Sequence, residues 1–164
     1  MLVPARRLSL AFLVLLGTAG PAQADLTVFA GLQNQPSIRP TTGIALGVGL
    51  LVLGWEVEVA RVTEESDAGA PSIATGTGSL YVQNPIPISG VQFYGIAGAG
   101  VFRERSTQLP DAYQETNVHL AIGGGAKIAL AGPLKLRLDY RIFKLRNSVA
   151  KNPQRVYAGL ALSF

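Results

Sequence analysis

One histidine and no cysteine occur in the 164 residues, so few arrangements for covalent or metal chemistry are open. A nucleophilic site needs a hydroxyl or thiol within reach of a base, with a third group orienting that base. His119 lies in QETNVHLAIGGGAKI and shares its parity with Glu115 and Asn117. No serine lies beside it or on its face of that segment, so it reads as a satisfied interior histidine rather than a catalytic base. The acidic stretch EESDAGAPS lacks the spaced oxygen ligands of a calcium loop. The glycine clusters GIAGAGVF and GGGAK lack the following helix and the Lys-Ser/Thr pair of a phosphate loop. No cofactor and no metal are expected, and the chain does not read as an enzyme.

What remains is a set of charges spaced two residues apart among apolar neighbours. Glu56 and Glu58 stand in WEVEVARVT, and Lys135, Arg137, Asp139 and Arg141 in LKLRLDYRIFKLR. Glu115, His119, Lys127 and Arg155 complete the set. If these residues face an interior they must pair, because an unpaired charge in a poorly hydrated space costs several kcal/mol. Two uses follow. The pairs simply satisfy one another, or they line a narrow ion path that their rearrangement gates.

Eight segments carry these residues: 25–32, 41–50, 55–63, 73–83, 91–102, 114–128, 134–146 and 154–164. Breaks rich in Pro, Gly, Asn and Asp separate most of them, as strands require. Helical periodicity is absent beyond the first residues. An even number of antiparallel strands brings both ends to one side and lets the first strand meet the last, which leaves no open edge. The predicted fold is therefore all-β: an eight-stranded antiparallel up-and-down barrel. The alternation is sharpest in 134–146, where Leu134, Leu136, Leu138, Tyr140 and Ile142 oppose Lys135, Arg137, Asp139, Arg141 and Phe143. In 73–83 and 91–102 glycine and alanine blur the parity, and no register is assigned there.

Alternation is equally compatible with a soluble barrel, apolar inside, and a membrane barrel, apolar outside. Three features favour the membrane. The segment lengths are near the 9–11 residues of a tilted spanning strand. Trp55 and Phe164 fall on the apolar face at one end of the barrel, and with Tyr140 they are candidate interface aromatics. Finally, Val156, Ala158, Leu160, Leu162 and Phe164 carry the apolar face to the last residue, with no polar tail. Glycine and alanine on the opposite face would leave room for the long charged side chains. In that arrangement the 55–63 and 134–146 segments lie across the interior from each other. Glu56 and Glu58 are then level with Lys135 and Arg137, with Lys127 near the same end and Glu115, Asp139, Arg141 and Arg155 higher.

The opening MLVPARRLSLAFLVLLGTAGPAQA has two arginines, a short apolar run and Ala22-Gln23-Ala24. It reads as a secretory signal peptide cleaved between Ala24 and Asp25, too short in its apolar part to span as a helix. The expected domains are 1–24, signal peptide, and 25–164, barrel. The net charge of +4 falls to +2 without Arg6 and Arg7. The remaining charges form no basic patch of the kind nucleic acid binding needs.

Residues 123–145, GGGAKIALAGPLKLRLDYRIFKL, resemble the penultimate hairpin of the OmpA-like and opacity-protein family of small outer-membrane barrels, including the aromatic after an acid in Leu138-Asp139-Tyr140. The closing QRVYAGLALSF is similar to that family's last strand, in which Phe164, Leu162 and Leu160 would form the signal read by the barrel assembly machinery. The resemblance is specific over 114–164 and topological elsewhere. It implies a monomer in the outer membrane of a Gram-negative envelope, in contact with membrane lipid and lipopolysaccharide. The basic runs Arg103-Glu104-Arg105 and Lys144-Leu145-Arg146, at outer strand ends, could meet lipopolysaccharide phosphates. The outer connections are short, and no peptidoglycan-binding domain is expected after the barrel. The leading function is a structural or surface-interaction role in the cell envelope. A low-conductance pore is the alternative, a lipid A-modifying envelope enzyme the third reading, and a soluble periplasmic barrel the alternative in fold.

Overall fold

The computed structural model describes residues 23–65, 68–107, 113–148, 150 and 152–164. Most of the expected signal peptide lies outside them. Eight strands follow one another: β1 (Gln23–Gln33), β2 (Arg39–Leu50), β3 (Leu53–Val62), β4 (Ser72–Gln83), β5 (Val91–Ser106), β6 (Tyr113–Ala131), β7 (Leu134–Leu145) and β8 (Gln154–Ser163). Each pairs antiparallel with its neighbours, and β1 pairs with β8 to close the barrel. At the seam Ala24 and Phe164 exchange backbone hydrogen bonds at 2.9 Å in both directions. Gln23 and Ala24 are thus the first two residues of β1.

Two kinds of rim result. The terminal rim holds Gln23, Phe164 and the connections 51–52, 84–90 and 132–133. Leu51 and Gly132 adopt positive φ in its two tightest turns, as two-residue hairpins demand. The loop rim holds the connection 34–38 and the described residues 63–65, 68–71, 107, 146–148, 150, 152 and 153 of the other three connections. At this rim β5 and β6 stay paired out to Ser106 and Tyr113, whereas the β6–β7 register ends at His119 and Leu145. The β5–β6 hairpin therefore stands beyond its neighbour β7.

The faces are inverted relative to a soluble barrel. Val28, Leu46, Val57, Leu80, Leu120, Leu138 and Leu160 are exposed on the outside, while Glu56, Glu58, Arg137, Asp139, Arg141 and Arg155 are buried within. The blurred segments now have a register. In β4 Ile73, Thr75, Thr77, Ser79, Tyr81 and Gln83 point inward, and in β5 Gln92, Tyr94, Ile96, Phe102 and Glu104 do. The interior is layered. Tyr81, Tyr94 and Ile96 cluster toward the terminal rim. Phe29, Ala60 and Tyr157 pack together, with Phe29 and Tyr157 stacked at 4.0 Å. Val62, Ile73, Phe102 and Ala150 form an apolar cap toward the loop rim, with Leu145 against it.

The small residues make room chiefly for rings, a difference from the expected accommodation of charged side chains. A Cβ on Gly43 would come within 2.4 Å of the Phe29 ring, and one on Gly54 within 2.2 Å of Tyr81. At Gly123 the expected reason also holds, since a Cβ would meet Arg141 Cγ at 2.9 Å and the Tyr140 carbonyl at 2.1 Å.

Candidate functional site: the charged interior

β3 and β7 both run from the terminal rim to the loop rim, and period-two alternation points their charges at one another across the interior. Arg137 grips Glu56 with both terminal nitrogens, one of them at 3.3 Å, and gives a further bond of 3.0 Å to Asp139. Arg141 reaches Glu56 at 2.7 Å, Asp139 at 2.9 Å and Glu58 at 3.1 Å. Arg155, on β8, donates to Glu58 at 3.0 Å and to Gln33 at 3.3 Å. Three guanidinium groups thus face three carboxylates, and the cluster is neutral. Two tyrosines brace it. Tyr94 accepts from Arg137 Nε at 2.8 Å and donates to Asp139, while Tyr157 accepts from Arg141 at 3.1 Å and donates to Glu58. Arg137, Arg141 and Arg155 are among the largest fully buried side chains of the protein. This interior excludes solvent and is knit across its width by charge-assisted bonds, which are the stronger class of hydrogen bond.

A second pair lies nearer the terminal rim. Lys127 donates to Asp25, which also accepts from Ser163 Oγ, and Lys135 sits 3.9 Å from the same carboxylate. The structure corrects the expected levels here. Lys135 is with Asp25 rather than level with Glu56, and Asp139 and Arg141 belong to the Glu56 cluster rather than above it. Glu115 is not in the network. It has inward parity but lies in the projecting part of β6, where β7 no longer provides a facing wall, and it is exposed.

His119 Nε2 lies 2.9 Å from Thr77 Oγ1, with the Phe102 and Phe143 rings alongside. Its Nδ1 has no hydrogen-bond partner among the described residues, so the hydroxyl–imidazole pair lacks the orienting acid of a triad. No group of three or more metal-ligating side chains occurs among the described residues. Trp55, Tyr140, Leu160, Leu162 and Phe164 are all exposed on the outer face. Trp55 and Phe164 sit at the terminal rim. Tyr140 does not, since it pairs with Gly124 and Val156 in the middle of β7.

Sequence reasoning missed Asp25, Tyr94, Tyr157, Gln33 and Arg39 as interior polar partners. Arg39 is buried at the loop rim, where it donates to the carbonyls of Thr63 at 3.0 Å and Gln35 at 3.2 Å and also to that of Pro71. Parity could have found Asp25 and Tyr157, which share a face with Thr27 and Arg155 in their strands.

No protein-family model matches the chain, and no curated protein matches it either. Solved structures do. The N-terminal β-barrel domain of Pseudomonas aeruginosa OprF superposes with a TM-score of 0.72 at 10% identity, covering 87% of this chain and 97% of that one. Neisserial surface protein A gives 0.67 at 16% identity, over 87% and 97%. A major outer membrane protein from Thermus thermophilus gives 0.58 at 15% identity, over 88% and 100%. The resemblance to the OmpA-like and opacity-protein barrels holds at the level of fold: the chain is a closed, eight-stranded antiparallel barrel of the outer-membrane type.

Proposed function

We propose that the protein is an integral outer-membrane barrel with a structural or surface-interaction role, its interior sealed rather than open. The observation that carries this reading is the combination of an apolar exterior with a neutral, buried, cross-linked set of arginines and carboxylates inside. Water would solvate the apolar outer wall poorly, whereas hydrocarbon outside and ion pairing inside satisfy both surfaces. The apolar cap of Val62, Ile73 and Phe102 adds a second barrier above the charges. The terminal rim faces the periplasm in this reading, and the loop rim faces outward.

The test is fractionation of cells expressing the full chain, followed by conductance of the purified protein in planar bilayers. The expected result is recovery in the outer membrane, electrophoretic mobility that changes on boiling, and no channel events. Recovery in the soluble fraction would refute the membrane assignment. Steady channel events that Glu56→Gln or Arg137→Gln alters would instead establish the gated pore.

A further inference from the structure

Inside the barrel wall Lys127, Lys135, Arg137, Arg141 and Arg155 each have a carboxylate partner, and Arg39 donates to backbone carbonyls. The outside is the opposite. Among the described residues the charges on the outward face of the strands are Arg61, Arg103, Arg105 and Lys144, all positive and all near the loop rim. None makes an ion pair among the described residues, nor does exposed Arg146 just past β7. No outward strand charge lies at the terminal rim among the described residues. An apolar wall bordered by cations at one edge only is polarised toward an anionic layer at that edge.

The projection of β6 past β7 gives this edge a seat. A groove of about 450 Å³ runs along the outer wall where β7 ends, lined by Ala99, Val118, Leu120 and Leu145, with Lys144 and Arg146 on its side. Arg146 N–H donates to the Val118 carbonyl at 3.2 Å, which sets the Arg146 backbone beside Val118. Val118 is opposite Val101, and Arg103 lies two residues further along the same face of β5. From strand spacing and rise, the Arg146 and Arg103 backbones are about 12 Å apart. The seat is thus an apolar trough with positive charge at two separated points on its upper border.

We propose that this groove binds a lipid with two separated phosphates on its headgroup, one held by Lys144 and Arg146 and the other by Arg103, with an acyl chain along Ala99, Val118 and Leu120. A phosphorylated glycolipid of the leaflet at the loop rim has that chemistry, whereas a lipid with one phosphate engages one point only. This assignment rests on the membrane reading above, because the groove meets an acyl chain only if the outer wall faces lipid.

Native mass spectrometry of the detergent-refolded full chain tests it, with diphosphorylated lipid A, its monophosphorylated form and inorganic phosphate as probes. Diphosphorylated lipid A is expected to stay bound, with the monophosphorylated form about tenfold weaker, the scale of one lost charge-assisted contact. Arg103→Gln with Lys144→Gln and Arg146→Gln should weaken binding by about tenfold or more, while Arg61→Gln, outside the groove, stays within about twofold. Equal retention of the two lipids by the native protein overturns the proposal, and that arm needs no variant to fold. Competition by millimolar inorganic phosphate would also overturn it, as would a loss with Arg61→Gln equal to that of the triple variant. Insertion and absence of channel events, measured on the same preparation, report on the membrane reading independently.

Discussion

Glu56→Gln isolates one charge at the centre of the interior. The Glu56 carboxylate receives two bonds from Arg137 and one from Arg141. Glutamine keeps the volume and one acceptor oxygen, so the perturbation is loss of charge. Arg137, Arg141 and Arg155 then face Asp139 and Glu58 alone, and the cluster carries one uncompensated positive charge in a space closed to water. Removing one partner of such a buried pair costs about 3–5 kcal/mol. Urea unfolding of the refolded barrel reads it out: with a slope of about 1–3 kcal/mol/M, a loss near 3 kcal/mol moves the midpoint down by roughly 1–3 M. Neutralising both partners with Glu56→Met and Arg137→Met restores charge balance and should recover about half of that loss or more. A Glu56→Gln midpoint indistinguishable from that of the native protein would mean that water screens these charges, and the sealed interior would be refuted.

Three further outcomes are expected. Leu138→Arg on the exposed outer face should destabilise the barrel by about 2–4 kcal/mol in a bilayer, whereas a water-facing wall would accept it; unfolding from lipid vesicles distinguishes the two. Gly123→Ala should sharply reduce the fraction that refolds, because its Cβ would meet the Tyr140 carbonyl at 2.1 Å, while Gly95→Ala, with nothing within 4 Å, should refold as the native chain does; the mobility shift on boiling scores both. Glu64, in the connection between β3 and β4, accepts from the Thr107 N–H at 2.9 Å and from its hydroxyl, and these bonds hold its carboxyl below the usual 4.5. Its contribution is therefore present above that value and is lost as pH falls through the depressed one, so exchange protection of the Thr107 amide by NMR should disappear in acid and be insensitive from pH 6 to 8.

The strand count was legible because β3 and β7 alternate aliphatic residues with charges, and the inverted faces because spanning lengths and Trp55 and Phe164 on the apolar side at one end accompanied that alternation. The register of β4 was not legible, because its outward Ala74, Gly76 and Gly78 are scarcely more apolar than its inward Thr75, Thr77 and Ser79. Register across the barrel decided the rest. Which of Lys127, Lys135 and Arg137 meets Asp25 and which meets Glu56 depends on strand stagger, and a stagger leaves no trace in the composition of a single strand. Glu115 shows the complementary limit. Its parity is inward, but a side chain is interior only where a facing wall exists, and β7 stops short of it.

Tyr94 and Tyr157 escaped notice for a chemical reason. A tyrosine in a strand of alternating polarity can face outward, as Tyr140 does in the middle of β7, or be bonded inside. Parity with Arg155 places Tyr157 inside, whereas in β5, where glycine and alanine blur the parity, only the bonds to Arg137 and Asp139 assign Tyr94 to the interior.

The β1–β8 seam bears on how the chain can reach this state. Asp25 and Ser163, bonded through their side chains, are separated by 138 positions, so the ring closes only through contacts of the longest range that the polypeptide offers. Searching for such contacts is slow, and until the eighth strand docks, two bare edges remain open to wrong partners. A chain without β8 leaves the edges of β1 and β7 unpaired, so the closing strand is the one that completes the wall.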